Sequence, residues 1–290
     1  MINKILPIFV IFLILSCSND KDTTNINDIT EYSKNTLADY ELFERANTFI
    51  NNKQYDLALS ELDKIDVIFP SSIYANKGIL LTAYINFLKK DYEQTRAIVE
   101  NYKKYYPGSK DIIYANYMEA MTYYILIKKP NYSQKNTQLA KEKFNFILNA
   151  YPNSKYEIDV ITKLQVIDNN LANDKLLKAK FYLDKKNYNA TLIYLKDIFE
   201  NYPSTTSIEE TLYYLVYVYD KIEEKDLSIK YASILAYNFP ENNWYKKSYN
   251  LINSIVDIKK EKWFENFNPI KIFIKNKNDD PYNSAVINID

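Results

Sequence analysis

Apolar side chains recur along this chain at spacings of three and four residues, the period of an amphipathic α-helix, and no stretch alternates as a β-strand does. The apolar segments are separated by dipeptides in which an aromatic residue precedes proline. Proline lacks a backbone donor and clashes with the preceding turn, so each dipeptide predicts the end of a helix. With only two glycines in 290 residues, the pattern predicts an all-α chain. The five dipeptides are Phe69-Pro70, Tyr106-Pro107, Tyr151-Pro152, Tyr202-Pro203 and Phe239-Pro240.

A small residue lies twelve positions before every one of these prolines, and the five are Ala58, Thr95, Ala140, Thr191 and Ser228. Because a small side chain lets two helices cross closely, each proline is expected to end the second helix of a pair. The preceding helices carry small and aromatic residues at matching positions, such as Ala46 with Phe49 and Ala120 with Tyr123. This combination is typical of tetratricopeptide repeats. It predicts a superhelix of about five tetratricopeptide-like helix pairs.

Two of the intervals between prolines are longer than the others. An insertion at 129–133 interrupts the connection between the helices of the third pair. The lead-in to the fourth pair, residues 156–182, is expected to form either one long helix or two broken ones. With these two insertions, Ala120 and Ala179 take the same place in their pairs as Ala46 does in the first.

The N-terminal residues have the pattern of a targeting signal and not of a helical repeat. Lys4 precedes an apolar run at 5–15 that is too short to span a bilayer, and Ile14-Leu15-Ser16-Cys17 follows. This resembles a bacterial lipoprotein signal peptide, in which the cysteine carries acyl chains such as palmitate and becomes the first residue of the mature protein. The alternative is an ordinary signal peptide or an anchor helix. Cys17 is the only cysteine, so it forms no disulfide within the chain. The expected organisation is a signal peptide at 1–17, a flexible tether at 18–36, a repeat domain at 37–268, with its last helix reaching about Phe267, and a polar tail at 269–290.

Charge and chemistry exclude several classes of protein. The 37 basic and 37 acidic residues cancel, which argues against nucleic acid as a partner. Lysine pairs such as Lys103-Lys104 are interpreted as solvated surface. The chain has no histidine, the commonest general base and a common metal ligand. We therefore expect no enzyme activity, no metal and no cofactor.

The first helix of each pair should line a groove, at positions six and three before its small residue and one, four and five after it. In the first three pairs these positions are unusually rich in aromatic residues, and in the fourth they are ordinary. Aromatic side chains with a polar tip suit a groove that binds a peptide. The alternative is that these rings simply pack between helices. The predicted substrate-peptide groove consists of Tyr40, Phe43, Tyr84, Phe87, Tyr114, Tyr117 and Tyr124.

The layout of lipoprotein signal, short tether and five repeats resembles the BamD family of outer-membrane β-barrel assembly lipoproteins. The segment Tyr151-Pro152-Asn153-Ser154-Lys155-Tyr156 with Asp159, and Asn201-Tyr202-Pro203-Ser204-Thr205 further on, carry the likeness, which extends over 37–239.

The resemblance implies an outer-membrane lipoprotein that faces the periplasm and acts in protein folding and insertion into that membrane. It also implies binding of the periplasmic domain of BamA and of the C-terminal signals of unfolded barrel proteins. Members of the family often carry a basic residue near the start of the second helix of the fourth pair, facing BamA. Here the candidates for that partner contact are Lys185, Lys186 and Tyr194.

Two other functions stay open. A generic tetratricopeptide lipoprotein that organises cell-envelope or peptidoglycan proteins would share the repeats but need no aromatic groove. A glycan-binding lipoprotein of the nutrient-uptake type would normally be longer, with more tryptophan than Trp244 and Trp263.

Overall fold

The structure, a computed structural model, describes residues 38–253. In that range all regular secondary structure is α-helical, which confirms the predicted fold class. The expected signal peptide (1–17), tether (18–36) and tail (269–290), and the end of the predicted repeat domain, lie outside the described residues. Eleven helices occupy residues 38–253: α1 (Asp39–Asn51), α2 (Tyr55–Ile68), α3 (Ile73–Leu88), α4 (Tyr92–Tyr105), α5 (Ile112–Tyr124), α6 (Lys135–Ala150), α7 (Glu157–Asp184), α8 (Tyr188–Asn201), α9 (Ile208–Lys221), α10 (Lys225–Asn238) and α11 (Asn243–Asn253).

The described residues fall into two compact units, 38–74 and 75–253. In the first unit, α1 and α2 pack through buried apolar positions that recur every three or four residues, with Ala46 and Ala58 both fully buried. Glu61 is also buried, and its carboxylate accepts from Arg45 at 3.3 Å and from Lys64 at 2.9 Å. The negative charge of this carboxylate is therefore balanced by two ion pairs at the edge of the apolar core.

The second unit holds the remaining pairs around three successive apolar clusters. The first is formed by α3, α4 and α5, the second by α5, α6 and the first half of α7, and the third by the end of α7 through α11. Each cluster draws on helices from two neighbouring pairs, because one pair alone buries only one of its faces. The prediction of stacked tetratricopeptide-like pairs is thereby confirmed for this unit.

The small residues lie where the helices of each pair cross. Thr95 is fully buried; its hydroxyl donates to the carbonyl oxygen of Asp91 at 2.7 Å and lies 3.4 Å from that of Ala83 on the facing helix. The hydroxyl of Ser228 donates to the carbonyl oxygen of Val216 on the facing helix at 3.0 Å. These ten crossing residues are at most 3% exposed: Ala46 and Ala58, Ala83 and Thr95, Ala120 and Ala140, Ala179 and Thr191, Val216 and Ser228.

The turn between the two helices has the same backbone geometry in four of the pairs. Seven residues after the first crossing residue, the chain enters the left-handed region at Lys53, Lys90, Lys186 and Glu223, with φ between 57° and 65°. The next amide then donates to a carbonyl five residues back, as Asp91 does to Asn86 at 2.9 Å. The turn thus caps the first helix and reverses the chain without a glycine.

The two insertions have distinct outcomes. Residues 157–182 fall in one uninterrupted helix, α7, which is 28 residues long and is preceded by Tyr156 at the N-cap. The prediction of one long helix is therefore confirmed. The insertion at 129–133 lies in the connection between α5 and α6, as predicted. It is fixed by the buried Gln134, whose amide donates to the carbonyls of Lys129 and Tyr132 at 3.1 and 3.2 Å. The amide of Asn131 donates to Asp174 on α7 at 2.9 Å.

The interpretation of Lys103 as solvated surface is wrong. Its ammonium group is paired with Glu119, which also accepts from Lys143 at 3.0 Å. Burial of Glu119 opposes its ionisation, but the hydrogen bonds from the two lysines outweigh burial and lower its pKa. Lys103 therefore ties α4 to α5, whereas its neighbour Lys104 is exposed.

Candidate functional site

Three pairs of aromatic rings occupy the same place in the repeat. In each pair, one ring lies three residues before the first crossing residue and the other lies four residues after the proline that ends the helix pair. The centroid distances are 5.2 Å for Phe43 and Tyr74 in the first unit, 4.7 Å for Tyr117 and Tyr156, and 5.2 Å for Tyr213 and Trp244. We call these the first, third and fifth aromatic pairs, after the helix pairs that carry them.

The second and fourth helix pairs lack this feature. They carry Leu80 and Asp111, and Leu176 and Ser207, at the equivalent positions. Aromatic pairs therefore occur in every second helix pair. Offset contacts of this kind contribute about 0.5–1.5 kcal/mol beyond the burial of apolar area.

The third aromatic pair has the most elaborate surroundings. The rings of Tyr117 and Tyr156 are stacked with an interplanar angle of 21°, and Tyr114 lies against the same face of the cluster, 6.5 Å from Tyr156. The hydroxyl of Tyr117 donates to Asp159 Oδ2 at 2.6 Å. Lys163 Nζ donates to Asp159 Oδ1 at 2.5 Å. Tyr156 and Asp159 are held in place by the N-terminal turn of α7, which packs here against α6.

The electrostatics of this site keep the phenols neutral and the carboxylate charged. Burial raises the pKa of Tyr114, and burial together with the hydrogen bond to Asp159 raises that of Tyr117. Burial works against ionisation of Asp159 as well, but hydrogen bonds from Lys163 and Tyr117 outweigh it and lower its pKa. At neutral pH the site therefore combines uncharged tyrosine rings with one carboxylate–ammonium pair at its edge.

Lys163 also connects this pair to Tyr124. Its ammonium group lies 5.9 Å from the ring centroid of Tyr117 and 5.6 Å from that of Tyr124. Phe144, fully buried on α6, contacts the same two tyrosines at 6.2 and 5.9 Å. The tyrosines are only partly buried. Each therefore packs against the core and keeps part of its surface exposed to solvent.

The predicted groove residues fall in several places. Tyr40 (51% exposed) and Phe43 are in the first unit, where Phe43 belongs to the first aromatic pair. Tyr84 and Tyr114 pack against the α3–α5 cluster, and Phe87 contacts Tyr92 edge-on at 5.4 Å. Tyr114, Tyr117 and Tyr124 are brought together around Tyr156 and Phe144.

The predicted partner-contact residues lie around the turn between α7 and α8. Lys185 and Lys186 are exposed, and Lys185 Nζ lies 4.9 Å from the ring of Phe181, which is itself 55% exposed. Tyr194 is partly buried and stacks on Tyr182 at 5.7 Å with an interplanar angle of 10°. This places an exposed aromatic ring and a lysine on one turn of α7.

Sequence reasoning missed the second member of every aromatic pair. Tyr74, Tyr156 and Trp244 follow their prolines by four residues, a regularity that is visible in the sequence. Tyr156 and Asp159 entered the sequence analysis only as part of a family likeness, without a role. In the fifth helix pair, two of the five groove positions also hold aromatic residues, Tyr213 and Tyr217.

No helix within residues 38–253 is both long enough and apolar enough to cross a membrane. The same residues hold no group of three or more acidic, cysteine or histidine side chains placed to bind a metal ion.

Helix pairs with buried small residues at each crossing, and turns that repeat from pair to pair, define a protein of the tetratricopeptide-like class. The model of the YfiO family, described as outer membrane lipoproteins, matches residues 35–235. The chain belongs to this family.

Several relatives carry the name outer membrane protein assembly factor BamD. That of Rickettsia prowazekii is 33% identical over 248 residues, covering 85% of this chain and 95% of the relative. That of Pasteurella multocida is 27% identical over 237 residues, covering 78% and 87%. That of Caulobacter vibrioides is 25% identical over 204 residues, covering 70% and 67%.

Proposed function

We propose that this chain is a lipid-anchored scaffold of the outer-membrane β-barrel assembly machinery. It binds the C-terminal signals of unfolded barrel proteins and the periplasmic domain of BamA, and so supports folding and insertion of those proteins. Lipidated Cys17 holds it on the periplasmic side of the outer membrane. Its membership of a family of outer membrane lipoproteins and the names of its relatives support this assignment.

The observation that carries the peptide-binding part is the third aromatic pair. Tyr117 and Tyr156 are stacked at 4.7 Å, are only partly buried, and are flanked by Tyr114 and by the Asp159–Lys163 ion pair. Rigid, partly exposed rings offer large contact area at small entropic cost, which suits an extended peptide with an aromatic residue at its end. The ion pair at the edge offers both a donor and an acceptor for the polar groups of such a peptide.

The test is titration of a labelled peptide that ends in an aromatic residue, taken from a barrel protein, into the full chain. Tyr117→Leu and Tyr156→Leu each remove a ring and keep apolar bulk; we expect each to weaken binding at least tenfold, about 1.4 kcal/mol. Tyr117→Phe keeps the ring and loses only the hydroxyl, so it should retain most of the affinity.

The matched control is Tyr237→Leu, at a tyrosine that is 56% exposed on α10. It should bind as the wild type does. If Tyr117→Leu and Tyr156→Leu also bound with unchanged affinity and kept their helical circular-dichroism signal, these rings would serve helix packing alone. The same titration of Tyr84→Ala with Phe87→Ala tests whether the peptide extends along α3.

The BamA contact is assigned to the turn between α7 and α8. Phe181 is exposed beside Lys185, an arrangement suited to a partner that offers an apolar contact next to a carboxylate. Phe181→Ala with Lys185→Ala should reduce capture of BamA from detergent-solubilised outer membrane, and peptide affinity should stay unchanged. Capture of other envelope proteins without BamA by the wild-type chain would favour a generic scaffold instead.

A further inference from the structure

The fifth aromatic pair, like the third, has lysine side chains over its rings. Tyr213 contacts both Trp244, at 5.2 Å, and Tyr217, at 6.5 Å. Lys247 Nζ lies 4.1 Å from the ring of Trp244 and 5.9 Å from that of Tyr213. We call Tyr213, Tyr217, Trp244 and Lys247 the fifth-pair surface. Its three rings are only partly buried, so each retains area for a further contact.

Lys247 adds a positive charge beside these rings. Within residues 38–253, Lys247 makes no ion pair. Lys221 lies over Tyr217 at 5.3 Å, and its ion pair with Asp220 is long, at 3.9 Å. Aromatic rings with ammonium groups at their edge fit a segment that has aromatic residues interleaved with carboxylates.

Such a segment follows shortly in the same chain. Residues 261–267 read Glu-Lys-Trp-Phe-Glu-Asn-Phe, with three aromatic residues and two carboxylates in seven positions. They lie outside the described residues. The sequence thus places a segment of complementary composition directly after the helix that carries Trp244 and Lys247.

Docking requires the chain to turn back between Asn253 and Trp263, in place of the continuous last helix expected to reach about Phe267, and the connecting chain is long enough for this. Along α11, Trp244 and Asn253 are about 14 Å apart at 1.5 Å per residue. The nine residues between Asn253 and Trp263 reach up to about 30 Å when extended. A short tether also gives an effective concentration of about millimolar, so even weak contacts would keep the segment bound.

We propose that residues 261–267 dock on the fifth-pair surface of their own chain. Trp263, Phe264 and Phe267 pack on the exposed sides of the rings, and Glu261 and Glu265 pair with Lys247 and Lys221. The docked segment covers the aromatic rings of the last helix pair and leaves the third aromatic pair free for a peptide. The proposal does not depend on the peptide-binding function.

The two tryptophans of the chain make a direct test possible. In the full chain, Trp263→Phe keeps an aromatic residue in the segment and leaves Trp244 as the only fluorescent tryptophan. Acrylamide quenching of this protein then reports the exposure of Trp244. Adding Phe264→Ala and Phe267→Ala should raise the quenching constant about twofold, because contacts between rings exclude water from them. The control pair Ile272→Ala with Phe273→Ala lies beyond the segment and should leave quenching unchanged.

A second arm supplies the segment in trans. A synthetic peptide of residues 259–268 in which phenylalanine replaces Trp263 should restore protection of Trp244 in the Trp263→Phe, Phe264→Ala, Phe267→Ala protein. The same peptide with Glu261 and Glu265 changed to lysine should not. Equal quenching with and without the two phenylalanines, at an unchanged circular-dichroism signal, would overturn the proposal. Protection of Trp244 by a barrel-protein peptide but not by the 259–268 peptide would also overturn it and assign the surface to an external ligand.

Discussion

The hydroxyl of Ser228 donates a 3.0 Å hydrogen bond to the carbonyl oxygen of Val216, twelve residues earlier on the facing helix. Two helices come this close only where both side chains at the crossing are short or lie flat. The hydroxyl of Thr95 lies 3.4 Å from the carbonyl oxygen of Ala83, also twelve residues earlier, and donates its shorter hydrogen bond to Asp91 at 2.7 Å. Where alanine takes the place of the hydroxyl residue, as at Ala58, the crossing is equally well buried. The spacing of twelve residues is therefore set by the length of the turn between the helices. The hydroxyl group adds a hydrogen bond across the crossing.

Two substitutions at Ser228 are expected to lower stability by different amounts. Ser228→Ala keeps the close crossing but loses the hydrogen bond, and should lower the free energy of unfolding by about 1 kcal/mol. Ser228→Leu overfills the crossing and should cost about 1–3 kcal/mol. Urea unfolding measures both. The same two changes at Ser60, which is exposed on α2, should have little effect; equal costs at the two sites would contradict the crossing geometry.

Ala140 tests the third helix pair, where the insertion breaks the regular spacing. Ala140 is fully buried beside Phe144 and Ile147, so Ala140→Phe should destabilise the protein by about 1–3 kcal/mol. Ala58→Phe should have a similar effect in the first unit. Lys104→Ala, at an exposed residue, is the control in thermal melts. Lys103→Ala is unsuitable as a control because Lys103 pairs with Glu119. Melting temperatures for Ala140→Phe and Ala58→Phe equal to that of Lys104→Ala would show that these positions are not crossings.

The helix-ending prolines and the crossing residues could be predicted from the sequence because each depends on a local rule of sterics. The aromatic pairs could not, although their spacing is regular. Tyr117 and Tyr156 belong to different helix pairs, and their meeting depends on how α5 packs against the start of α7. The pairing of Lys103 with Glu119 was missed for the same reason, since it joins residues of neighbouring pairs. Contacts within a pair follow from periodicity, whereas contacts between pairs require the packing angle.

Lys90 offers a change that should stabilise the protein. Its φ of 65° is a left-handed conformation that costs a residue with a Cβ about 1–2 kcal/mol. Lys90→Gly relieves this cost but makes the unfolded chain more flexible, which offsets about 0.4–1 kcal/mol. The difference of these two ranges gives an expected net gain of about 0–1.6 kcal/mol in urea unfolding. Lys89→Gly, one residue earlier at the helix end, should give no gain, and a gain there equal to that at Lys90 would contradict the explanation.

Cys17 lies outside the described residues, and its lipidation remains a prediction. Cys17→Ser should release the protein from membranes or leave the uncleaved precursor, because the acyl chains that anchor it are lost. Cell fractionation and mass spectrometry of the N-terminal peptide measure this. An unmodified Cys17 in the mature wild-type protein would contradict the lipoprotein assignment and favour an ordinary signal peptide or an anchor helix.

Glu119 predicts how stability depends on pH at the acid end. Lys103 and Lys143 hold its pKa below the ordinary 4.5 in the folded protein. A carboxylate with a lowered folded pKa stabilises the protein above its unfolded pKa, and this contribution is lost as the pH falls through the folded pKa. Glu119→Gln should therefore cost about 1.5–3 kcal/mol at neutral pH, as expected for hydrogen bonds to a charged group. The difference in free energy of unfolding between the variant and the wild type should narrow below pH 4.5.

Glu100→Gln, at an exposed residue on α4, serves as the control in urea unfolding from pH 7 to pH 3, and should follow the wild type throughout. A gap that stays constant down to pH 3 would mean that the ionised form of Glu119 contributes nothing to stability.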